Sequence, residues 1–362
     1  MQFAHFSHIW NKPGMTPNDR YNQLWRELEL CDALDYDFSF CVEHHFQPHE
    51  SWISSPALYA AAALMRTKRL KVGAMGFIPA LYHPLRLAEE IAILDQMSGG
   101  RFQCGLVPGI TAHYFTPFGV DYKFAKSPTL EFVEYLRNAY GEQPFTHEGT
   151  NFKTENVKIG VLPSQLPHPP LWMMSRDAET LEFCAKEGIN TGSFLMVPRS
   201  VAGPKYRDFA RNWETYGHER KPNIAYCTVV YVDETDKAAV QNGLERASRA
   251  YSGLLPLKNP DDSFEVRLQA QLDLLESRGE TAAAKLTANL FNPEYIMDNN
   301  LMFIGSPETV TRKIRDAAEE GYFNTFLGEF NFDDLPEADL MRSIGLFGEK
   351  VIPALREFEP TL

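Results

Sequence analysis

The chain has no long apolar run, no cluster of basic residues and few cysteines, and each absence removes a class of function. No stretch approaches the length of a membrane span. Met1-Gln2-Phe3-Ala4-His5-Phe6 lacks the charged start and long apolar core of an export signal, so a cytoplasmic protein is expected. The formal net charge is -13 over 362 residues, which argues against attraction to nucleic acid or an anionic membrane. Five cysteines (Cys31, Cys41, Cys104, Cys184, Cys227) are scattered, odd in number and mostly set in apolar runs, so reduced thiols are expected rather than a disulfide framework. No Gly-x-Gly-x-x-Gly follows a strand-like run, so no nicotinamide dinucleotide fold is visible. A helical His-Glu-x-x-His is missing too. A zinc hydrolase would have to use His44, His45 and His49 with Glu43 or Glu50, and Pro48 breaks any helix that could align them, so no metal site is expected. The remaining partner is a small molecule or another protein.

What is present is enough apolar sequence, 44% of residues, for one large core, and a rhythm of short β-like runs alternating with amphipathic helices. Strands are expected at 1–10, 36–43, 70–78, 101–107, 170–174, 191–196, 224–232 and 323–330. Helices are expected between them, among them 18–34, Pro56 to Met65, His83-Pro84 to Ser98-Gly99-Gly100, and 127–140. Ser306-Pro307-Glu308 has the hydroxyl cap, early proline and early acid of a helix start, with Gly321 as its stop. Leu340, Ile344, Phe347 and Val351 space out as the buried stripe of a closing helix. Residues 144–169 read as a hairpin and loop, for which an active-site lid is one use. Residues 253–300 break the alternation and read as a helical insertion with Pro256, Pro260 and Pro293 at its joints. Eight strand-plus-helix units favour a (β/α)8 TIM barrel with insertions, residues 1–362 forming one domain, over an open doubly wound sheet.

Glu43-His44-His45-Phe46 follows the second strand, at the strand end where parallel α/β proteins hold their ligands. If the chain is still extended there, the two imidazoles point to opposite faces, one toward a ligand and the other held by neighbours. In the third strand, Gly73, Ala74 and Gly76 are small enough to let something flat approach the backbone. His5 and His8 alternate on strand one, with nothing to say which faces the mouth. Phe6, Trp10, Phe77, Tyr114 and Phe194 sit near strand ends, where they either join the core or shape an apolar cavity.

Taken together, Glu43-His44-His45-Phe46, His83-Pro84, Leu94-Asp95-Gln96-Met97-Ser98-Gly99-Gly100-Arg101-Phe102, Phe118-Gly119-Val120-Asp121 and Gly305-Ser306-Pro307-Glu308-Thr309-Val310 resemble the bacterial luciferase-like flavin-dependent monooxygenase family. The order and spacing of these pieces matter more than any one, and they span nearly the whole chain apart from 253–300. The resemblance implies a barrel that receives reduced FMN from a separate NAD(P)H-dependent flavin reductase and uses O2, through a C4a-peroxyflavin, to oxidise a small organic substrate. It also implies side-by-side pairing into a dimer.

Residue by residue, the resemblance makes His44 the catalytic histidine and His45 its neighbour, an imidazole being suited to proton transfer near neutral pH. Met75 and Gly76 match positions that pass against the flavin ring, and Val107 and Pro108 match the end of strand four. The last two depart from the luciferase pattern, which has a cysteine and a phosphate-binding arginine there, so light emission is less expected than oxygenation. Ser175, Arg176 and Thr180, at the start of the helix after strand five, would then hold the phosphate, with Asp177 as the helix cap. Two alternatives share the barrel: a deazaflavin-dependent oxidoreductase and a non-catalytic flavin-binding protein.

Overall fold

The computed structural model describes residues 1–12, 14–47, 50–255 and 262–361. Pro48, His49, Pro256 and Pro260 therefore lie outside the described residues. Among the described residues there are eleven strands: β1 (Gln2–Ser7), β2 (Phe38–Cys41), β3 (Lys71–Ala74), β4 (Phe102–Gly105), β5 (Phe145–Glu148), β6 (Lys153–Val157), β7 (Leu171–Met174), β8 (Asn190–Phe194), β9 (Ile224–Val232), β10 (Phe303–Gly305) and β11 (Thr325–Glu329). Eight of them pair in parallel in the order β1-β2-β3-β4-β7-β8-β9-β11, and β11 returns to β1, closing a (β/α)8 barrel.

β10 is a ninth parallel strand that periodicity alone did not reveal. The first half of β9 pairs with β11, whereas Val230–Val232 run past the barrel and pair with Phe303–Gly305. Three residues are too short to show an alternation of their own.

The barrel interior is aromatic. Phe6 on β1 meets Phe194 on β8 edge to face at 5.6 Å, and Trp172 on β7 meets Phe38 and Phe40 on β2 at 5.8 and 5.4 Å. Contacts across non-adjacent strands fix the even positions of β1 as inward. Outside, helices cover the sheet. Thr16 starts Pro17–Ala33 with a capping box, Ser55 caps Pro56–Arg66, and Ser306 caps Pro307–Gly321. That last helix ends on Tyr322 in the left-handed region (φ 54°), one residue beyond the expected Gly321. Leu340, Ile344, Phe347 and Val351 are all buried, as their spacing predicts, each contributing about 1.5–3 kcal/mol by burial.

The hairpin is present as the antiparallel pair β5–β6, but it does not act as a lid. It lies along the outer helix Lys126–Tyr140, where Glu131 accepts from the backbone N–H groups of Asn151 and Phe152 and Tyr135 bonds Thr154. The described part of 253–300 carries the expected helices, Phe264–Ser277, Thr281–Asn289 and Pro293–Asp298. All five cysteines are free and buried. No helix among the described residues is long and apolar enough to cross a membrane.

Candidate active site

The carboxyl ends of the barrel strands bring the expected histidines together with partners from several elements. His44 lies three residues beyond Cys41, the last residue of β2, and its Nδ1 lies against Oε1 of Glu50. Glu50 is buried and also takes the Tyr114 hydroxyl at 3.4 Å. An ionised carboxylate can only accept, so the proton sits on Nδ1 of His44 and Nε2 is the basic atom. Burial lowers the His44 pKa, and the opposing pull of Glu50 does not cancel it, so the ring is neutral near pH 7.

His45 turns the other way. Its Nε2 pairs with Glu43 at 2.9 Å, the other Glu43 oxygen accepts from the Ile78 N–H at 3.0 Å, and Phe118 packs edge-on at 5.2 Å. Burial raises the Glu43 carboxyl above its usual range even though His45 and the Ile78 N–H favour the charged form. The neighbours thus take different carboxylates, although both rings pack against Tyr114.

Strand one supplies a third imidazole. His8 stacks on Trp10 at 4.2 Å, lies 5.5 Å from His44 and donates from Nδ1 to Glu329, the last residue of β11, at 2.8 Å. Tyr251, from the segment leading into the insertion, meets both His8 and Trp10 at 6.0 Å. His5 is not at the mouth: it points outward to Glu27 and Ser39.

The small residues at the end of β3 let the neighbouring strand come close. A Cβ on Gly73 would stand 2.0 Å from the Gln103 carbonyl oxygen, one on Gly76 2.2 Å from that of Gly105, and one on Gly105 1.9 Å from that of Ala74. On the side of the missing Cβ, these glycines admit the backbone of the adjoining strand. Met75 is buried beside them, and the Met75-Gly76 peptide is cis. Val107 and Pro108 follow β4, with the Val107 N–H bonded to Phe77.

On the same rim a cavity of about 220 Å³ is lined by Pro108, Lys126, Thr129, Leu130, Met173, Met174, Ser175, Asp177 and Thr180. Pro108, Ser175 and Thr180 of the expected set meet there. Arg176 does not line it; its guanidinium reaches Glu280 of the insertion at 2.7 Å. The cation at the cavity is instead Lys126, which the sequence reading did not single out. Its Nζ bonds Asp177 and Glu179, each at 2.8 Å. Asp177 caps its helix through Thr180, as expected, and is held at about pKa 2 by Lys126 and Thr180. The helix beginning at Lys126 has no side-chain cap, so its first N–H groups are not met by a capping side chain. Two helix N-termini and the Ser175 hydroxyl are the donors a phosphate would meet there, and it would draw Lys126 and the Thr180 hydroxyl from their bonds to Asp177.

A second cavity, of about 310 Å³, holds Arg199, whose donors are committed to Glu320, Tyr226, Asn299 and Asn300. Among the described residues no group of three or more His, Cys, Asp or Glu side chains could hold a metal.

The family model for luciferase-like monooxygenases matches residues 1–324. Among curated relatives, an uncharacterised protein of Sinorhizobium fredii is 26% identical over 337 residues, covering 93% of this chain and 92% of its own. The alkanal monooxygenase alpha chain of Photobacterium leiognathi is 25% identical over 366 residues, covering 99% of each. Among solved structures, a monooxygenase from Streptomyces bottropensis superposes with a TM-score of 0.79 at 21% identity over 98% of this chain and 99% of its own. The oxygenating constituent of 3,6-diketocamphane monooxygenase from Pseudomonas putida, in complex with FMN, does so with a TM-score of 0.79 at 21% identity over 98% of each. An F420-dependent secondary alcohol dehydrogenase reaches 0.71 at 19% identity over 98% of this chain and 99% of its own.

Proposed function

The chain belongs to the luciferase-like monooxygenase family, and from that premise we propose that it is a two-component monooxygenase taking externally supplied reduced FMN and O2 to oxidise a small, largely apolar organic molecule. The reduced flavin supplies the electrons and the place at which O2 is activated. The observation that carries the reading is the pairing of His44 with Glu50 at the strand ends. A buried neutral imidazole with its Nδ1 proton fixed by a carboxylate can accept and return a proton at Nε2 without reorienting. His45, tied to Glu43, holds the turn that presents His44.

Met75, Gly76 and Val107 are proposed to border the flavin ring. Lys126, Ser175, Thr180 and the N–H groups of the two helix starts would hold its phosphate at the cavity that Pro108 also lines. Arg176, drawn to Glu280, is left with a supporting part. We read residues 1–362 as one barrel domain served by a separate NAD(P)H-dependent flavin reductase. Pairing into a dimer is supported by Leu58, Met65, Ile93 and Met97, which the packed helices Pro56–Arg66 and Pro84–Ser98 leave exposed.

The second reading, a deazaflavin-dependent oxidoreductase, draws on the likeness in fold to the F420-dependent dehydrogenase. One experiment separates them. Protein carrying anaerobically reduced FMN is mixed with oxygenated buffer, and a protein-stabilised transient absorbing in the near ultraviolet is expected. Reoxidation as in free flavin would overturn the oxygenase reading and move reduced deazaflavin to the front.

A further inference from the structure

His44 is placed for the oxygen side of the reaction, which leaves the other imidazole of the mouth without a task. His8 continues the inward face of β1 beyond Phe6. Its Nδ1 donates to Glu329 at 2.8 and 3.0 Å, and its backbone N–H donates to the same carboxylate at 3.1 Å. Glu329 is wholly buried, so the His8 proton is fixed on Nδ1 and Nε2 is the basic atom. Two imidazole–carboxylate pairs, His44–Glu50 and His8–Glu329, thus share one wall with their rings 5.5 Å apart. A second pair with its own carboxylate suits a reaction in which the substrate itself gives up a proton.

An independent observation comes from the donors around His8. Trp10 Nε1 is buried and has no hydrogen-bond partner among the described residues, while the buried Tyr251 hydroxyl lies beside the Glu329 carboxylate. Both rings touch His8. A buried donor left unpaired costs about 1–3 kcal/mol, a cost that a ligand oxygen would remove. A base beside an unpaired indole N–H is the environment that an oxygen needs when it loses its proton.

We propose, resting on the oxygenase reading above, that His8 is the substrate-side base and that the substrate is a flat, otherwise apolar molecule bearing a hydroxyl, a phenol or enol in class. The substrate O–H bond breaks with its electron pair left on oxygen, and an N–H bond forms at Nε2 of His8. Glu329 holds the resulting imidazolium, and Trp10 donates to the oxyanion. The proton returns to solvent when product leaves. Glu50 and Glu329 make the mouth unfavourable for a substrate that is already anionic, such as a carboxylate.

The test uses flavin-free protein and a matched pair of probes, 2-naphthol and 2-methoxynaphthalene, titrated by calorimetry. The parent is expected to prefer the naphthol by about tenfold, the worth of one good hydrogen bond to a charged pair. His8→Asn should bring the ratio close to one while leaving the affinity for the ether unchanged. Glu329→Gln should lower the ratio in part, and it decides the matter if the first variant does not fold. His44→Asn should keep the preference. Equal affinity for both probes in the parent, a preference surviving the His8 and Glu329 substitutions, or an equal loss with His44→Asn would each overturn the proposal. No flavin takes part, so failure of the oxygenase reading would appear separately, in the oxygen-mixing experiment.

Discussion

Strand β1 carries a histidine on each face, and the two faces handle buried charge differently. On the outer face His5 bonds Glu27 at 3.0 Å and Ser39 at 3.1 Å. Glu27 also takes Arg20 at 2.9 Å and Asn331 at 2.7 Å, and Ser39 meets the Tyr59 hydroxyl at 2.7 Å. Apart from Arg20 Nε, every side-chain donor in that network has found a partner. On the inner face, three residues along, His8 and His44 each have a carboxylate, but the indole N–H of Trp10 stays unmatched beside His8. Burial and an acidic partner are common to both faces. An unmatched donor at the strand ends is what marks the inner one as built for a ligand.

The sharpest way to break that contrast is at Glu27. Glu27→Ala leaves Arg20 and His5 buried without their carboxylate, and a loss of about 3–5 kcal/mol is expected in denaturant unfolding. A change below about 1 kcal/mol would show that the network is not structural. pH offers a second route to the same group. Burial alone would raise the Glu27 pKa, but Arg20 and His5 outweigh it and hold the carboxyl at about 2 against an ordinary 4.5. Depression of a carboxyl means stability that is present above pH 4.5 and lost as pH falls toward 2. Acid titration of the unfolding midpoint should show this loss in the parent and a smaller one in Glu27→Gln.

His44→Ala addresses the inner face. Product formation should fall by roughly a hundredfold, the lower end of what a positioned acid–base group contributes, with more hydrogen peroxide released and flavin binding nearly unchanged. Equal coupling of flavin oxidation to product in variant and parent would remove His44 from its role.

At the phosphate end, Lys126→Met should weaken FMN binding about tenfold and leave riboflavin unaffected, because only the phosphate needs the cation. Equal losses for both ligands would place the phosphate elsewhere.

The barrel was legible in the sequence because each strand run is apolar and each helix start carries its own local signal. Ser306 and Asp177 cap the helices their positions predict, and Pro56 opens its helix as expected. His44 and His45 were legible for the same reason, since side-chain alternation is a local property. Lys126 was not, because what makes it part of the site is Asp177, fifty-one positions away, on a helix that only barrel closure brings near. Arg176 looked like the phosphate's cation because its partner, Glu280, lies in the insertion, whose docking no periodicity reveals. His8 was visible but unoriented. Strand one is buried on both faces, so hydrophobic alternation could not tell inward from outward.

The glycine contacts between β3 and β4 bear on how this protein can be engineered. At positions 73, 76 and 105 any side chain would collide with main-chain atoms at 2.2 Å or less, so these sites offer a library designer nothing. Variation aimed at new substrates belongs on Trp10, Tyr114 and Tyr251, whose rings lie beside His8 and His44 and outside the barrel strands.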